Sequence, residues 1–309
     1  MNKIAPIAAA ALCALSAPAW ALVAAPPNYG VASVAATATY NPNSGFSVTQ
    51  EQYSLYPGAA AGVSVNDGGG AAASAWTDYG ANHASASYTA GDGTSLASLG
   101  ASLWFDQITI NGGSGMGTAA LNASLNGTAD VGAPDGAAAY VLGTTTVNPT
   151  TLTSSTTSLN SLALPLSMDT SQITTVASYV VGTQGAATAC ASQLGATCPS
   201  FNQILGVGAG QAIQANLTGS FSFTYGQSFY LVGLLGTGVG QNFSTASPAT
   251  TTFDFSNTGL LNQIVLPQGA ILSDASGTIY SVAAVPEPAE WLTLVAGLGL
   301  ISLVARRRA

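Results

Sequence analysis

Between Lys3 and Arg306 the chain has no lysine and no arginine. Its 309 residues hold 4 basic side chains: Lys3 near the start, and Arg306, Arg307 and Arg308 at the far end. Charged residues make up only 5% of the sequence, and up to residue 284 they are otherwise acids: Glu51, Asp67, Asp78, Asp92, Asp106, Asp130, Asp135, Asp169, Asp254 and Asp274. With no basic patch there is no electrostatic footprint for a phosphate backbone, so no nucleic-acid partner is expected. Salt bridges within the body are excluded too, apart from any that His83 makes. Stability must come from burial, hydrogen bonds and turn chemistry, beneath a surface of Ser, Thr, Asn, Gln and Gly.

The chain has a single histidine, His83. A serine triad or Cys–His pair needs such a base, but no Gly-x-Ser-x-Gly elbow accompanies it. His83, in the run Gly80-Ala81-Asn82-His83, is expected on a surface loop. Zinc and iron sites need more His and Cys than the body offers. Glycines at 206–210 and 236–240 lack the strand-to-helix context of a dinucleotide site and read as loops. A glycosidase needs two carboxylates flanking a sugar bond. The strand positions that could supply them are Asp106 and Asp254, both expected to point outward. Of the remaining acids, Asp67, Asp92 and Asp135 sit beside glycine, where Asp is favoured by its own backbone hydrogen bonds. These three and Asp130 are read as loop residues whose oxygens suit calcium, without EF-hand spacing. No catalytic residue, metal or cofactor is otherwise assigned.

What is present is apolar and turn-rich: 48% hydrophobic residues and 36 glycines. That suffices for one sizeable core. Residues 1–21 (MNKIAPIAAAALCALSAPAWA) have a positive start, an apolar run and a small-x-small site at Ala19 and Ala21. They read as a secretory signal peptide cut after Ala21. Cys13 belongs to the apolar run, since Leu12 before it is too large for a lipoprotein signal. Export leaves Cys190 and Cys198 in an oxidising compartment, where a disulfide closing a short loop contributes about 2.5 kcal/mol.

The body, 22–284, reads as many short strands between Gly, Asn and Asp turns, an all-β antiparallel sandwich of jelly-roll type. The clearest pattern runs from Ile213 to Tyr225. Ile213, Leu217, Phe221 and Phe223 alternate with Gln214, Asn216, Thr218, Ser220, Ser222 and Thr224. Period-two alternation of that length is a strand with one buried and one wet face. Residues 229–235 follow as a more central strand, apolar on both faces. Further strands are expected at 31–40, 46–50, 84–90, 103–110, 121–125, 138–147, 173–181, 251–255, 264–266, 270–272 and 278–282. Residues 56–75 read as a long loop or hairpin tip, 144–161 as a Ser/Thr-rich polar stretch, and 184–205 as the place for a short helix.

The segment 285–309 (VPEPAEWLTLVAGLGLISLVARRRA) has a different character. Residues 291–305 carry no charged side chain and would span roughly 22 Å as a helix. That is short for a hydrocarbon core of about 30 Å. Trp291 suits one headgroup boundary, and Arg306, Arg307 and Arg308 suit the cytoplasmic one. Pro286 and Pro288 stop the helix upstream and display Glu287 in an extended link. Pro286-Glu287-Pro288, the apolar run and the terminal arginines, in that order, resemble the PEP-CTERM sorting signal. The resemblance implies an exosortase-type membrane enzyme that reads the tripeptide and removes the anchor. It also implies a Gram-negative host that makes extracellular polysaccharide. Residues 220–285 also resemble the body that often precedes this tail.

These readings lead first to an exported, non-enzymatic surface or matrix protein. It passes transiently through the membrane and associates with exopolysaccharide in a biofilm. The alternatives are a carbohydrate-binding module using Trp76, Tyr79 and Tyr88, or a polysaccharide hydrolase on the same sandwich. A low-charge β-rich chain can also assemble edge to edge.

Overall fold

The computed structural model describes residues 15–16, 28–41, 45–56, 61–66, 70–89, 97–132, 135–147, 164–165, 173–183, 203–205, 208–240 and 249–285. Ala19 and Ala21, the Cys190–Cys198 pair, and the tail with Pro286, Glu287, Pro288, Trp291, Arg306, Arg307 and Arg308 lie outside them. So do most of the Ser/Thr-rich stretch and of the expected short helix; that helix's last described residues include a strand at Gln203–Ile204.

Every regular element among the described residues is a strand. In chain order they are β1 (Leu15–Ser16), β2 (Asn28–Asn41), β3 (Gly45–Tyr56), β4 (Ala61–Asn66), β5 (Ala71–Asp78), β6 (Ala81–Thr89), β7 (Ala97–Asn111), β8 (Met116–Val131), β9 (Asp135–Thr145), β10 (Leu164–Pro165), β11 (Thr174–Gly182), β12 (Gln203–Ile204), β13 (Gly208–Thr224), β14 (Ser228–Gly240), β15 (Thr250–Pro267), β16 (Ile271–Asp274) and β17 (Val282–Val285). β1 and β10 form a two-residue parallel pair by themselves.

The others make two sheets. The eight-stranded sheet runs β12-β11-β9-β14-β7-β2-β3, with β16 beside the far end of β7. The seven-stranded sheet runs β13-β8-β15-β6-β5-β4, with β17 beside the far end of β15. Almost all the pairing is antiparallel. Within it lies a nested set: β6 pairs with β15, β7 with β14, β8 with β13, and β9 with β11. The chain changes sheet between successive members except from β9 to β11, which are neighbours, so β6, β8, β13 and β15 share one sheet and β7, β9, β11 and β14 the other. One core fills the space between the sheets, with Tyr88, Phe253, Phe255, Leu121 and Leu125 from one side and Trp104, Ile108, Tyr140 and Leu235 from the other.

The strand expected at 213–225 is β13, with Ile213, Leu217, Phe221 and Phe223 buried and Gln214, Asn216, Thr218, Ser220 and Ser222 exposed. β14 is buried on both faces along nearly all its length. Gly226 turns the chain between them at φ +74°, in the left-handed region that favours glycine.

Several expectations need correction. Residues 56–75 are not one long loop but hold β4 and most of β5. Ala71, Ala73 and Ala75 face inward because the sheets approach closely there. A Cβ on Gly100 would lie 2.6 Å from the carbonyl oxygen of Ser85 and 2.7 Å from that of Ser74. Only very small side chains fit between backbones at that spacing. Residues 236–240 are not a loop tip; they complete β14 and are buried. Their neighbours across the ladder, 97–101 and 135–139, are also rich in Ala and Gly. The expected strands at 251–255 and 264–266 are parts of the single strand β15, which absorbs its Ser-Asn-Thr-Gly sequence as a register shift between Phe255 and Gly259. The last strand is β17, not 278–282.

Candidate functional site

Asp106 breaks the expectation most sharply. It was expected to point outward; it is fully buried. On β7 it shares a face with Trp104 and Ile108, each two positions away along the alternating strand, and that face points into the sandwich. Its partners come from the segment after β16. Oδ1 accepts the Ser276 backbone N–H at 3.1 Å. Oδ2 accepts the Ser276 hydroxyl at 2.5 Å and the Tyr280 hydroxyl at 2.8 Å. Asp274 Oδ1 and Thr278 Oγ1 lie 3.1 Å and 2.8 Å from the same Ser276 oxygen. Burial raises the Asp106 carboxyl above the usual carboxylate range, against the opposing pull of the hydrogen bonds from Ser276 and Tyr280. The Tyr280 hydroxyl is pushed well above the ordinary tyrosine range by burial and by the carboxylates of Asp106 and Asp274.

The chemical role of this cluster is to hold a strap. β16 belongs to the eight-stranded sheet and β17 to the seven-stranded one, so residues 275–281 cross from one sheet to the other. Asp106 anchors the crossing, and Tyr280 enters the core beside Gly80. Both carboxylate oxygens are occupied from within the chain.

A second polar cluster ties the sheets together deeper inside. Asn82 on β6 donates from Nδ2 to the Ser102 carbonyl at 3.0 Å, to Ser102 Oγ at 3.1 Å and to the Gly233 carbonyl at 3.3 Å. Its Oδ1 accepts the Trp104 indole N–H at 2.8 Å. A Cβ on Gly233 would sit 2.4 Å from the Trp104 ring, so the indole occupies space that any other residue there would need. Sequence reading passed over Asn82 because Gly80-Ala81-Asn82 looks like a turn. The signal available was its parity with Ala84, Ala86 and Tyr88 on one strand.

His83 is on β6, not on a loop, and is half-buried on the outer face of the seven-stranded sheet. It sits directly across from Trp76 on β5. The rings meet edge to face with centroids 4.4 Å apart. His83 Nδ1 is 2.5 Å from the Ser256 carbonyl oxygen. Along the next rung, Ser74 and Ser85 hydroxyls are 2.6 Å apart and Asp254 lies beyond Ser85. Asp254 Oδ1 accepts the Ser256 N–H at 2.8 Å. Of the three aromatics expected to be exposed, Trp76 is half-buried on this outer face, Tyr79 packs against the core and Tyr88 is fully buried within it.

Asp106 and Asp254 therefore do not form a pair. Asp106 faces the interior from β7, whereas Asp254 alternates with the buried Phe253 and Phe255 and so faces outward from the opposite sheet. Of the expected calcium ligands, Asp130 is an exposed residue of β8, not of a loop, and Asp135 opens β9 in the other sheet. Asp67 and Asp92 lie outside the described residues. Among the described residues no three acid, histidine or cysteine side chains come together as a metal site, and no helix is long and apolar enough to cross a membrane. Neither a family model nor a curated protein matches the chain.

Proposed function

We propose that this chain is an exported, non-enzymatic protein of the surface or extracellular matrix of a Gram-negative bacterium, processed at its C-terminal segment by an exosortase-type enzyme and associated with exopolysaccharide. One observation carries the reading: Pro286-Glu287-Pro288, a marginally short apolar run and Arg306-Arg307-Arg308 follow one another in a sequence whose one other lysine or arginine is Lys3. In this reading residues 291–305 form a transient membrane helix and 22–284 a jelly-roll-like ectodomain. The nested pairing of β6 with β15, β7 with β14, β8 with β13 and β9 with β11 supports the second part, because it is the strand order of two interleaved Greek keys. Intact mass of the protein recovered from the medium tests the proposal. It should lack residues 1–21 and end before the arginines. An extracellular form still carrying Arg306–Arg308, or accumulation of the chain in the cytoplasm, overturns it.

The outer face of the seven-stranded sheet supports a second reading, a carbohydrate-binding surface. Trp76, braced by His83, offers an indole on a flat strand surface beside Ser74, Ser85 and Asp254. Binding to a glycan array that disappears in Trp76→Ala favours this reading; no binding by the unaltered protein removes it.

A further inference from the structure

We propose that β13 is an assembly edge, and that the strand which pairs with it is β13 of a second copy of this chain. β13 ends the seven-stranded sheet, and among the described residues only β8 pairs with it. It is 17 residues long and contains no Asp, Glu, Lys, Arg or Pro. Exposed strand edges recruit other strands, and proteins ordinarily blunt them with charge, proline or brevity.

The other edges of this sandwich follow that rule. β12 has 2 residues and β4 has 6. β3 carries Glu51 within its span and is followed by Pro57. β13 alone of the sheet-ending strands is both long and unprotected. It is also well anchored for the purpose, with Ile213, Leu217, Phe221 and Phe223 in the core and an unbroken ladder to β8 from Gln211 to Thr224.

Charge selects the occupant. Of the other strands that end a sheet, β12 and β4 are too short to match a 17-residue partner, and β3 would bring a carboxylate, Glu51, to the seam. β13 brings none. An antiparallel two-fold pair sets Gln214, Asn216, Thr218, Ser220 and Ser222 of one copy against members of the same set in the other. These side chains either donate and accept or rotate to do so, and no like charges face each other. A charged foreign strand would find no counter-charge there. The pairing is self-complementary and closed, which is the form of a two-fold interface. It would join two seven-stranded sheets into one continuous sheet.

Sedimentation equilibrium of the secreted protein across a range of concentrations tests this. The expected result is a reversible dimer. Thr218→Lys places like charges across the seam and should weaken dimerisation at least tenfold, with an unchanged circular dichroism spectrum. Ile279→Lys adds the same charge at a position 98% exposed and outside the edge, and should leave the dimer intact. Single cysteines at 216, 218 and 220, introduced one at a time, provide a test that does not depend on a lysine variant folding. At least one should give a covalent dimer on oxidation. A monomer at every concentration, an assembly indifferent to Thr218→Lys, or no cross-link at any of the three positions overturns the proposal.

Discussion

β13 and β14 are consecutive strands joined by a tight turn, yet they belong to different sheets and different environments. β13 lies at the end of its sheet, and from Ile213 to Phe223 inward side chains alternate with exposed ones. β14 lies between β7 and β9, and both of its faces are buried. The difference is written in their sequences. The outer face of the seven-stranded sheet is open to solvent, so β13, like β8 beside it, can carry polar residues at every second position at little cost. A strand buried on both faces must be apolar or very small throughout. Where β14 cannot be apolar it uses glycine, and the close approach of Trp104 to Gly233 shows why.

The largest test of the contrast is a pair of matched truncations. Leu235→Ala in β14, where the side chain is fully buried, should cost about 3–5 kcal/mol, and Leu217→Ala in β13 about 2 kcal/mol, because an edge site collapses more readily around the lost volume. Equal losses in denaturant unfolding would remove the distinction between the strands. Gly233→Ala comes next. The added methyl must displace the Trp104 indole, for about 1–3 kcal/mol, and the loss should shrink when Trp104 is also made smaller. Additive losses would mean the two residues do not share that space.

The smallest effect is a pH dependence beside β14, on β7. The folded state raises the Asp106 carboxyl above its ordinary value of 3.8, so the fold holds that proton more tightly than the unfolded chain does. Stability from this group is greatest below the ordinary value and declines as pH rises through the raised one. Unfolding of Asp106→Asn followed against pH should lose that part of the decline. A difference curve between the two proteins that is flat, or of opposite slope, across the acid range would show that Asp106 is not held as described.

Much of the fold was legible in advance. Hydrophobic alternation identified β13, the inward Phe253 and Phe255, and the all-β class. What was missed has a common physical cause. Residues 56–75 and 236–240 looked like loops because Ala and Gly have weak strand preference. They are strands because their backbones are paired with neighbouring strands, and where backbones approach closely, as at Gly100, small side chains are what fits. Asp106 was misjudged as an outward carboxylate although its parity with Trp104 placed it inside; the groups that make burial tolerable, Ser276 and Tyr280, lie 170 and 174 residues further along the chain. Asn82 likewise depends on Ser102, Trp104 and Gly233, which only the packing of the two sheets brings to it.

The sequence by itself determined the side-chain periodicities, the lack of lysine and arginine between Lys3 and Arg306, and the separate character of the C-terminal segment, because each of these is local in the chain. The strand order, the unguarded edge at β13, the Asn82 tie and the Asp106 strap were decided only by the tertiary structure. Each rests on groups that are distant in sequence, and their hydrogen bonds and close contacts come into being only when the two sheets meet.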